Sequence, residues 1–381
     1  MATLEQLVEL DMLNECSIEC TKQSRWKEST QRYIADMLIR NVQLQDDVLS
    51  GRYRVSPTID FVINERGHVR KIEAPVVRDR NVQKSLMKNV LIPSLRPYII
   101  YDNYASLKQR GTTFARKRFE IMLRRFIRKN GTDGYILLGD IAKYFESISH
   151  EALKQMIAPR LTNEPQEVID LIHYMIDTSS HSDYGLNLGS EAPQIFAVYY
   201  MNPIDIYVKV VRGVKFYGHY MDDFFSLAKT KGELEDLLSN IEDKADEIHL
   251  KIKRQKTHIV KLSHGFTFLQ VRYTITKTGK ILKRPSRSKI VRERRRLKAF
   301  RRMYDKGQMT EADIYNCYHS WRGSVIREHN ACRNVVANMD ALYQSLFPAH
   351  QQREKPSRKR MVKAINHEAE TEDLKYCLTL K

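Results

Sequence analysis

Two adjacent carboxylates, Asp222 and Asp223, lie in Tyr220-Met221-Asp222-Asp223, between Phe216-Tyr217 and Phe224-Phe225-Ser226-Leu227. Apolar and aromatic runs on both sides of a short polar break predict a β-hairpin whose turn presents both acids. Mg²⁺ takes hard oxygen ligands, and two such ions held close together clamp the attacking and leaving oxygens of one phosphate during nucleotidyl transfer. One hairpin cannot supply enough carboxylate for that, so a third acid must come from another strand. Asp140 is the candidate: it ends the apolar run Tyr135-Ile136-Leu137-Leu138-Gly139, and an acid at a strand end can face the same ions. Its alternative use is to cap a helix beginning beside it, because Asp is a favoured N-cap.

The elements around these acids predict an α+β fold, an antiparallel sheet backed by helices. Residues 2–49 have the apolar spacing of two helices. Tyr53 to Ile63 alternates as a strand, Asn64-Glu65-Arg66-Gly67 makes a turn, and Val69 to Ala74 pairs back. Helices are expected over Val82 to Leu95, Thr113 to Lys129, Glu151 to Ala158, Pro165 to Asp177, Pro193 to Val211 and Gly232 to Ile248. The Thr113 helix carries Lys117, Arg118, Arg124, Arg125 and Arg128, which suit a solvated face as well as RNA contact. From Lys280 onward the chain turns strongly basic while Ile290, Val291, Leu297, Phe300 and Met303 keep one helix side apolar.

The segments containing Asp140 and Asp222-Asp223 resemble motifs A and C of the reverse transcriptases, D-x-x-x-x-[FY] and Y-x-D-D. Other segments follow in that family's order over about residues 50–345. Arg70-Lys71-Ile72-Glu73-Ala74-Pro75 and Arg78-Asp79-Arg80-Asn81-Val82-Gln83 resemble the fingers motif ending in D-R-x-x-Q. Tyr104 to Thr113, with Arg110 before Gly111, resembles the second fingers motif. Gly185 to Gln194 falls where motif B belongs, Leu250 to Thr257 resembles motif D, and Phe268-Leu269-Gln270 resembles the F-L-G primer grip.

The resemblance implies a right-hand polymerase fold with an N-terminal helical segment (1–50), fingers and palm (51–280), a basic helical thumb (281–347) and a flexible charged tail (348–381). It implies that Asp140 and Asp222 bridge two Mg²⁺ ions, with Mn²⁺ able to substitute, and that Asp223 adds charge and secondary ligation. Phe145 stands where the family has its aromatic gate against a ribose 2′-hydroxyl, with a core aromatic as the plain alternative. Lys71, Arg78 and Arg80 are cations suited to a triphosphate, and Lys256 is either a proton donor to pyrophosphate or a surface lysine. Nucleic acid is expected at Arg110, Phe268 and Leu269 and along Arg287, Arg294, Arg295 and Arg302.

Motif B is spelled Gly185-Leu186-Asn187-Leu188-Gly189-Ser190-Glu191-Ala192-Pro193-Gln194, with Asn187-Leu188 where many members have Pro-Gln. That spelling is similar to the enzymes of diversity-generating retroelements, as is Ser320-Trp321-Arg322-Gly323 followed by His329-Asn330. Leu188 and Gln194 are then expected near the incoming nucleotide. An apolar Leu188 cannot hydrogen-bond to it, so the resemblance implies error-prone copying, especially opposite template adenine. Pro193 and Gln270 depart from the pattern, which keeps a retron-like, group-II-intron-like or phage-defence lineage open. Implied partners are an RNA template, an RNA–DNA hybrid, deoxynucleotide triphosphates and a small basic helical accessory protein. A catalytically idle RNA-binding scaffold is the reading from a different class.

Composition agrees with such partners. Over 381 residues the net charge is +18, which favours polyanion binding through counterion release. No run of about 18 apolar residues or signal-peptide pattern occurs, so no membrane partner and a cytoplasmic setting are expected, and the resemblance implies a bacterial or phage-encoded chain. Cysteines 16, 20, 317, 332 and 377 lack C-x-x-C spacing, as thiols in a reducing compartment would.

Overall fold

The computed structural model describes residues 2–65, 68–187, 189 and 191–348. The N-terminal stretch forms four helices, Leu4–Leu7, Leu10–Thr21, Glu28–Ala35 and Met37–Leu49, where the apolar spacing suggested two. The last three are joined by a buried polar cluster: Tyr33 donates to Asn41 at 2.8 Å, and Asn81 donates to Ser17 at 2.7 Å. Such a cluster is invisible to apolar periodicity, because its members look like interruptions in the pattern.

Strands β1 (Ile59–Glu65) and β2 (His68–Ala74) pair as an antiparallel hairpin, with Val62 facing Lys71 and Ile63 facing Arg70. The strand therefore starts later than the alternation from Tyr53 suggested. Asn64 and Glu65 lie in β1, and the rest of the expected turn falls outside the described residues. The next helix begins at Val77 and continues through a π-helical turn at Met87–Leu91 to Leu95.

The central sheet holds β3 (Tyr135–Asp140), β4 (Tyr217–Tyr220), β5 (Asp223–Ala228) and β6 (His258–Lys261) in the order β4–β5–β3–β6, every pair antiparallel. Successive side chains of a strand point to opposite faces. Phe225 meets Phe119 of helix Thr112–Asn130 edge-on at 4.8 Å, while Phe224 lies over Gly139 on the other side. A Cβ on Gly139 would sit 2.1 Å from the Phe224 ring, so any other residue here must displace that buried ring. Helix Lys231–Glu247 packs against β3, β5 and β6.

The single helix expected over Pro193 to Val211 is broken. Ala192–Tyr200 is followed by Asn202–Ile206 and a π-helical turn at Tyr207–Val211. Pro203 has no N–H to give a preceding turn, so it begins a new helix rather than extending the old one.

A further sheet has the order β7 (Phe266–Phe268), β8 (Val271–Ile275) and β9 (Ile281–Pro285). The chain divides into one unit of residues up to Leu269 with Thr274–Ile281, and another of Gln270–Tyr273 with residues from Leu282 onward. The second unit holds helices Arg287–Asp305, Glu311–Glu328 and Arg333–Leu346 around Leu297, Ile314, Trp321 and Met339. Tyr318 and Tyr343 stack there with centroids 4.1 Å apart. Among the described residues no helix is long and apolar enough to cross a membrane.

Candidate active site

Asp140 is the last residue of β3, and its strand partner in β5 is Asp223. Paired residues of neighbouring antiparallel strands have Cα atoms about 4.5–5.5 Å apart, so two chain-distant acids share one sheet edge. The hairpin joining β4 to β5 is tight: Tyr220 pairs with Asp223, and only Met221 and Asp222 form the turn. The two acids thus play different structural parts, Asp222 at the tip and Asp223 at the start of a strand, rather than both occupying the turn. Met221 has φ +54°, a left-handed backbone that costs a non-glycine residue roughly 1–2 kcal/mol.

Backbone contacts hold Asp140 from several sides. Its N–H donates to the Thr257 hydroxyl at 3.3 Å, and its carbonyl accepts from Lys253 N–H at 2.7 Å. Ile141 N–H donates to the Asp222 carbonyl at 3.1 Å, tying the first acid's segment directly to the turn. Lys256 Nζ donates to Asp140 Oδ2 at 2.9 Å.

Charge is crowded at this edge. Burial pushes the Asp222 carboxyl above its ordinary range and the Asp140 charge adds to that push, while its own backbone amide, Lys256 and Arg70 oppose it. The hydrogen bond to Asp140 lifts the Lys256 ammonium above its ordinary range, with Asp140, Asp223 and Asp222 charges acting in the same direction. Among the described residues no three His, Cys or acidic side chains stand as a ready-made metal ligand set. The donor chemistry nevertheless fits a hard divalent cation: carboxylate oxygens on one edge, like charges raising a pKa, and an ammonium already neutralising one of them.

Residues 62–273 match the family described as reverse transcriptase (RNA-dependent DNA polymerase), which is more than half of the chain. The chain belongs to the reverse transcriptase family. Its fold is accordingly the right-hand polymerase type, helices around an antiparallel sheet. Similar solved structures include apo telomerase from Candida tropicalis truncated from its C-terminal domain, at 15% identity, 63% of this chain, 59% of that chain and TM-score 0.44. Another is Candida albicans telomerase in complex with a TWJ fragment of telomeric RNA, at 10% identity, 77% of this chain, 55% of that chain and TM-score 0.47. This chain spans less than two thirds of the length of either telomerase. No curated protein matches it in sequence.

In this reverse transcriptase Phe145 is half-buried beside Tyr144, and its carbonyl accepts from Leu186 N–H at 2.8 Å. Gly185 N–H donates to the Ile148 carbonyl at 2.8 Å, so the start of motif B is laced to the segment after Asp140. Leu188 lies outside the described residues. Gln194 is exposed at the start of helix Ala192–Tyr200 and accepts from the Ser106 hydroxyl at 2.9 Å.

The candidate triphosphate cations separate. Lys71 pairs with Asp60 at 3.0 Å and Glu73 at 2.8 Å. Arg78 pairs with Asp47 at 2.9 Å and Asp79 at 3.2 Å and covers the Tyr53 ring. Among the described residues, Arg80 Nε is buried with no hydrogen-bond partner. Besides Lys256, a cation whose charge reaches Asp222 is Arg70, which is not among the three triphosphate candidates. Period-two alternation puts Arg70 and Lys71 on opposite faces of β2, and of the two only the Arg70 charge acts on Asp222.

Arg110 donates to the Ile100 carbonyl at 3.3 Å and the Asn103 carbonyl at 2.7 Å, and burial lowers its pKa. Phe268 ends β7 and packs against Phe119 and Phe225. Leu269 and Gln270 both have left-handed φ, +43° and +67°, so the tight turn forms without the family's glycine. Arg116 Nε and Nη2 donate to the Leu269 carbonyl at 3.1 and 2.7 Å, bracing that turn. Arg287, Arg294, Arg295 and Arg302 are exposed on helix Arg287–Asp305, and among the described residues none makes an ion pair.

Proposed function

We propose that this reverse transcriptase copies an RNA template into DNA with Asp140, Asp222 and Asp223 as its metal-holding acids. The observation that carries this reading is the pairing of Asp140 with Asp223 at one sheet edge, where the Asp140 charge also raises the Asp222 pKa. In the reaction a primer 3′-hydroxyl gives up its proton to solvent as its oxygen bonds to the α-phosphorus of a deoxynucleotide, and the bond from that phosphorus to the pyrophosphate oxygen breaks. Two Mg²⁺ ions, or Mn²⁺ in their place, supply charge neutralisation of the reacting phosphate when bound.

Asp140 and Asp222 hold that charge in place, and Asp223 adds negative potential from the neighbouring strand. Lys256, kept protonated by its carboxylate neighbours, gives a proton from Nζ to the departing pyrophosphate. Arg70 faces the triphosphate from β2, while Phe145 blocks a ribose 2′-hydroxyl. Arg287, Arg294, Arg295 and Arg302 follow the phosphates of the RNA–DNA hybrid.

Motif B favours the diversity-generating retroelement subfamily, because Leu188 offers no hydrogen bond to the nucleotide. Error-prone copying in a bacterial or phage setting and a small basic helical accessory protein belong to that assignment. The experiment is primer extension on an RNA template with deoxynucleotides and Mg²⁺. The wild type extends the primer, and Asp140→Ala loses roughly 10³-fold or more, the scale of several kcal/mol supplied by a metal charge clamp. Unchanged extension by Asp140→Ala would refute the site, and Leu188→Gln with an unaltered error spectrum would refute the subfamily.

A further inference from the structure

The residue before Tyr220 is a histidine that the proposed chemistry does not use, and it is fully buried. His219 Nε2–H donates to Asp205 Oδ2 at 2.8 Å, and Tyr217 donates to the other oxygen of that carboxylate at 2.9 Å. On its other side, His219 Nδ1 lies 3.1 Å from the Met221 carbonyl. A carbonyl oxygen only accepts, so Nδ1 carries a hydrogen whichever way the His219–Asp205 pair shares its remaining proton.

The ring is also anchored through its own backbone. His219 N–H donates to the Asp102 carbonyl at 3.0 Å, and its carbonyl accepts from Tyr104 N–H at 3.0 Å. The segment containing Asp102 and Tyr104 lies so close to β4 that a Cβ on Gly218 would stand 2.5 Å from the Tyr104 hydroxyl. His219 is therefore a rigid strut, and its free end meets the carbonyl of the one turn residue with a left-handed backbone. Of the two turn carbonyls, that of Asp222 is held by Ile141 N–H and that of Met221 by this ring.

We propose that His219 is a positioning residue for the aspartate turn: its Nδ1–H holds the Met221 carbonyl, fixes the left-handed Met221 backbone, and thereby sets where Asp222 presents its carboxylate to a divalent cation. This rests on the metal-holding role given above to Asp222. Buried charge stands behind the arrangement, since burial opposes a charged ring and the Asp205 carboxylate more than offsets it, raising the His219 pKa.

The test uses the stereochemistry of two amides. The Asn side-chain nitrogen overlays Nδ1 of His, whereas that of Gln overlays Nε2. Mn²⁺ binding to the full chain without nucleotide is measured by electron paramagnetic resonance for the wild type, His219→Asn, His219→Gln and Asp222→Ala. The expected result is that His219→Gln weakens Mn²⁺ affinity by about tenfold, within the range for groups that orient metal ligands. His219→Asn, of equal thermal stability, stays near the wild-type value.

Equal Mn²⁺ affinity in the Asn and Gln variants, or weaker binding in Asn, would overturn the role of His219. Asp222→Ala separates the two ideas: if it leaves Mn²⁺ binding intact, the metal site itself is wrong. Should a position-219 variant fail to fold, Asp205→Asn serves, since a neutral His219 still donates from Nδ1. Its Mn²⁺ affinity is expected to match the wild type despite a lower melting temperature, and a tenfold loss there would equally overturn the proposal.

Discussion

At the scale of single residues, Asp222 is a side chain whose charge the fold tolerates poorly. Its pKa is raised from about 3.8, by burial first and then by Asp140. The stability it contributes is therefore complete below its unfolded pKa and lost as pH rises through the folded value. In metal-free buffer at neutral pH, Asp222→Asn should melt above the wild type, with the advantage vanishing as pH falls towards 4, the ordinary carboxylate range. Differential scanning calorimetry across that range checks it; a less stable Asn variant at neutral pH would contradict the crowding of charge at this edge. Phe145→Ala should admit ribonucleotides in primer extension, and unchanged sugar discrimination would remove the gate. The acids were legible because each sits within its own short pattern of strand and turn. Arg70 was not: neighbouring cations on one strand differ only in the face they present, which no local pattern fixes. Arg78 was equally opaque, because its partner Asp47 is far away in sequence.

At the scale of elements, hairpins and amphipathic helices were readable, since alternation and 3.6-residue spacing are local. The acid hairpin lies where the flanking apolar runs predict it, with a turn one residue narrower than they suggest, because Asp223 begins β5. Breaks are less readable: Pro203 signals one, while the N-terminal helices from Leu10 onward depend on polar contacts between Ser17, Tyr33, Asn41 and Asn81. Gly139 shows what sheet geometry demands beyond pattern. Gly139→Ala forces its Cβ into the buried Phe224 ring and should cost about 1–3 kcal/mol, the usual penalty for overpacking. Urea denaturation measures it. A variant as stable as the parent would show that Phe224 has room to move, and the packing described for β3 and β5 would be wrong.

At the scale of the whole molecule, a net charge of +18 is concentrated after Lys280, and the helix Arg287–Asp305 leaves Arg287, Arg294, Arg295 and Arg302 exposed. Removing two of them, Arg294→Ala with Arg295→Ala, should weaken RNA–DNA hybrid binding and lower the slope of log affinity against log salt by about 1–2, roughly one unit for each phosphate contact. Fluorescence anisotropy over a salt series measures this, and an unchanged slope would remove the helix from the nucleic-acid path. The basic stretch was plain in the sequence because charge is additive.

The central claim, that acids from distant parts of the chain form one divalent-cation site, is tested most directly by anomalous diffraction from crystals soaked in Mn²⁺. The account predicts an anomalous peak within ligand distance, about 2.0–2.2 Å, of carboxylate oxygens from both Asp140 and Asp222. Mn²⁺ bound elsewhere, with these two carboxylates left to Lys256 and solvent, would contradict it.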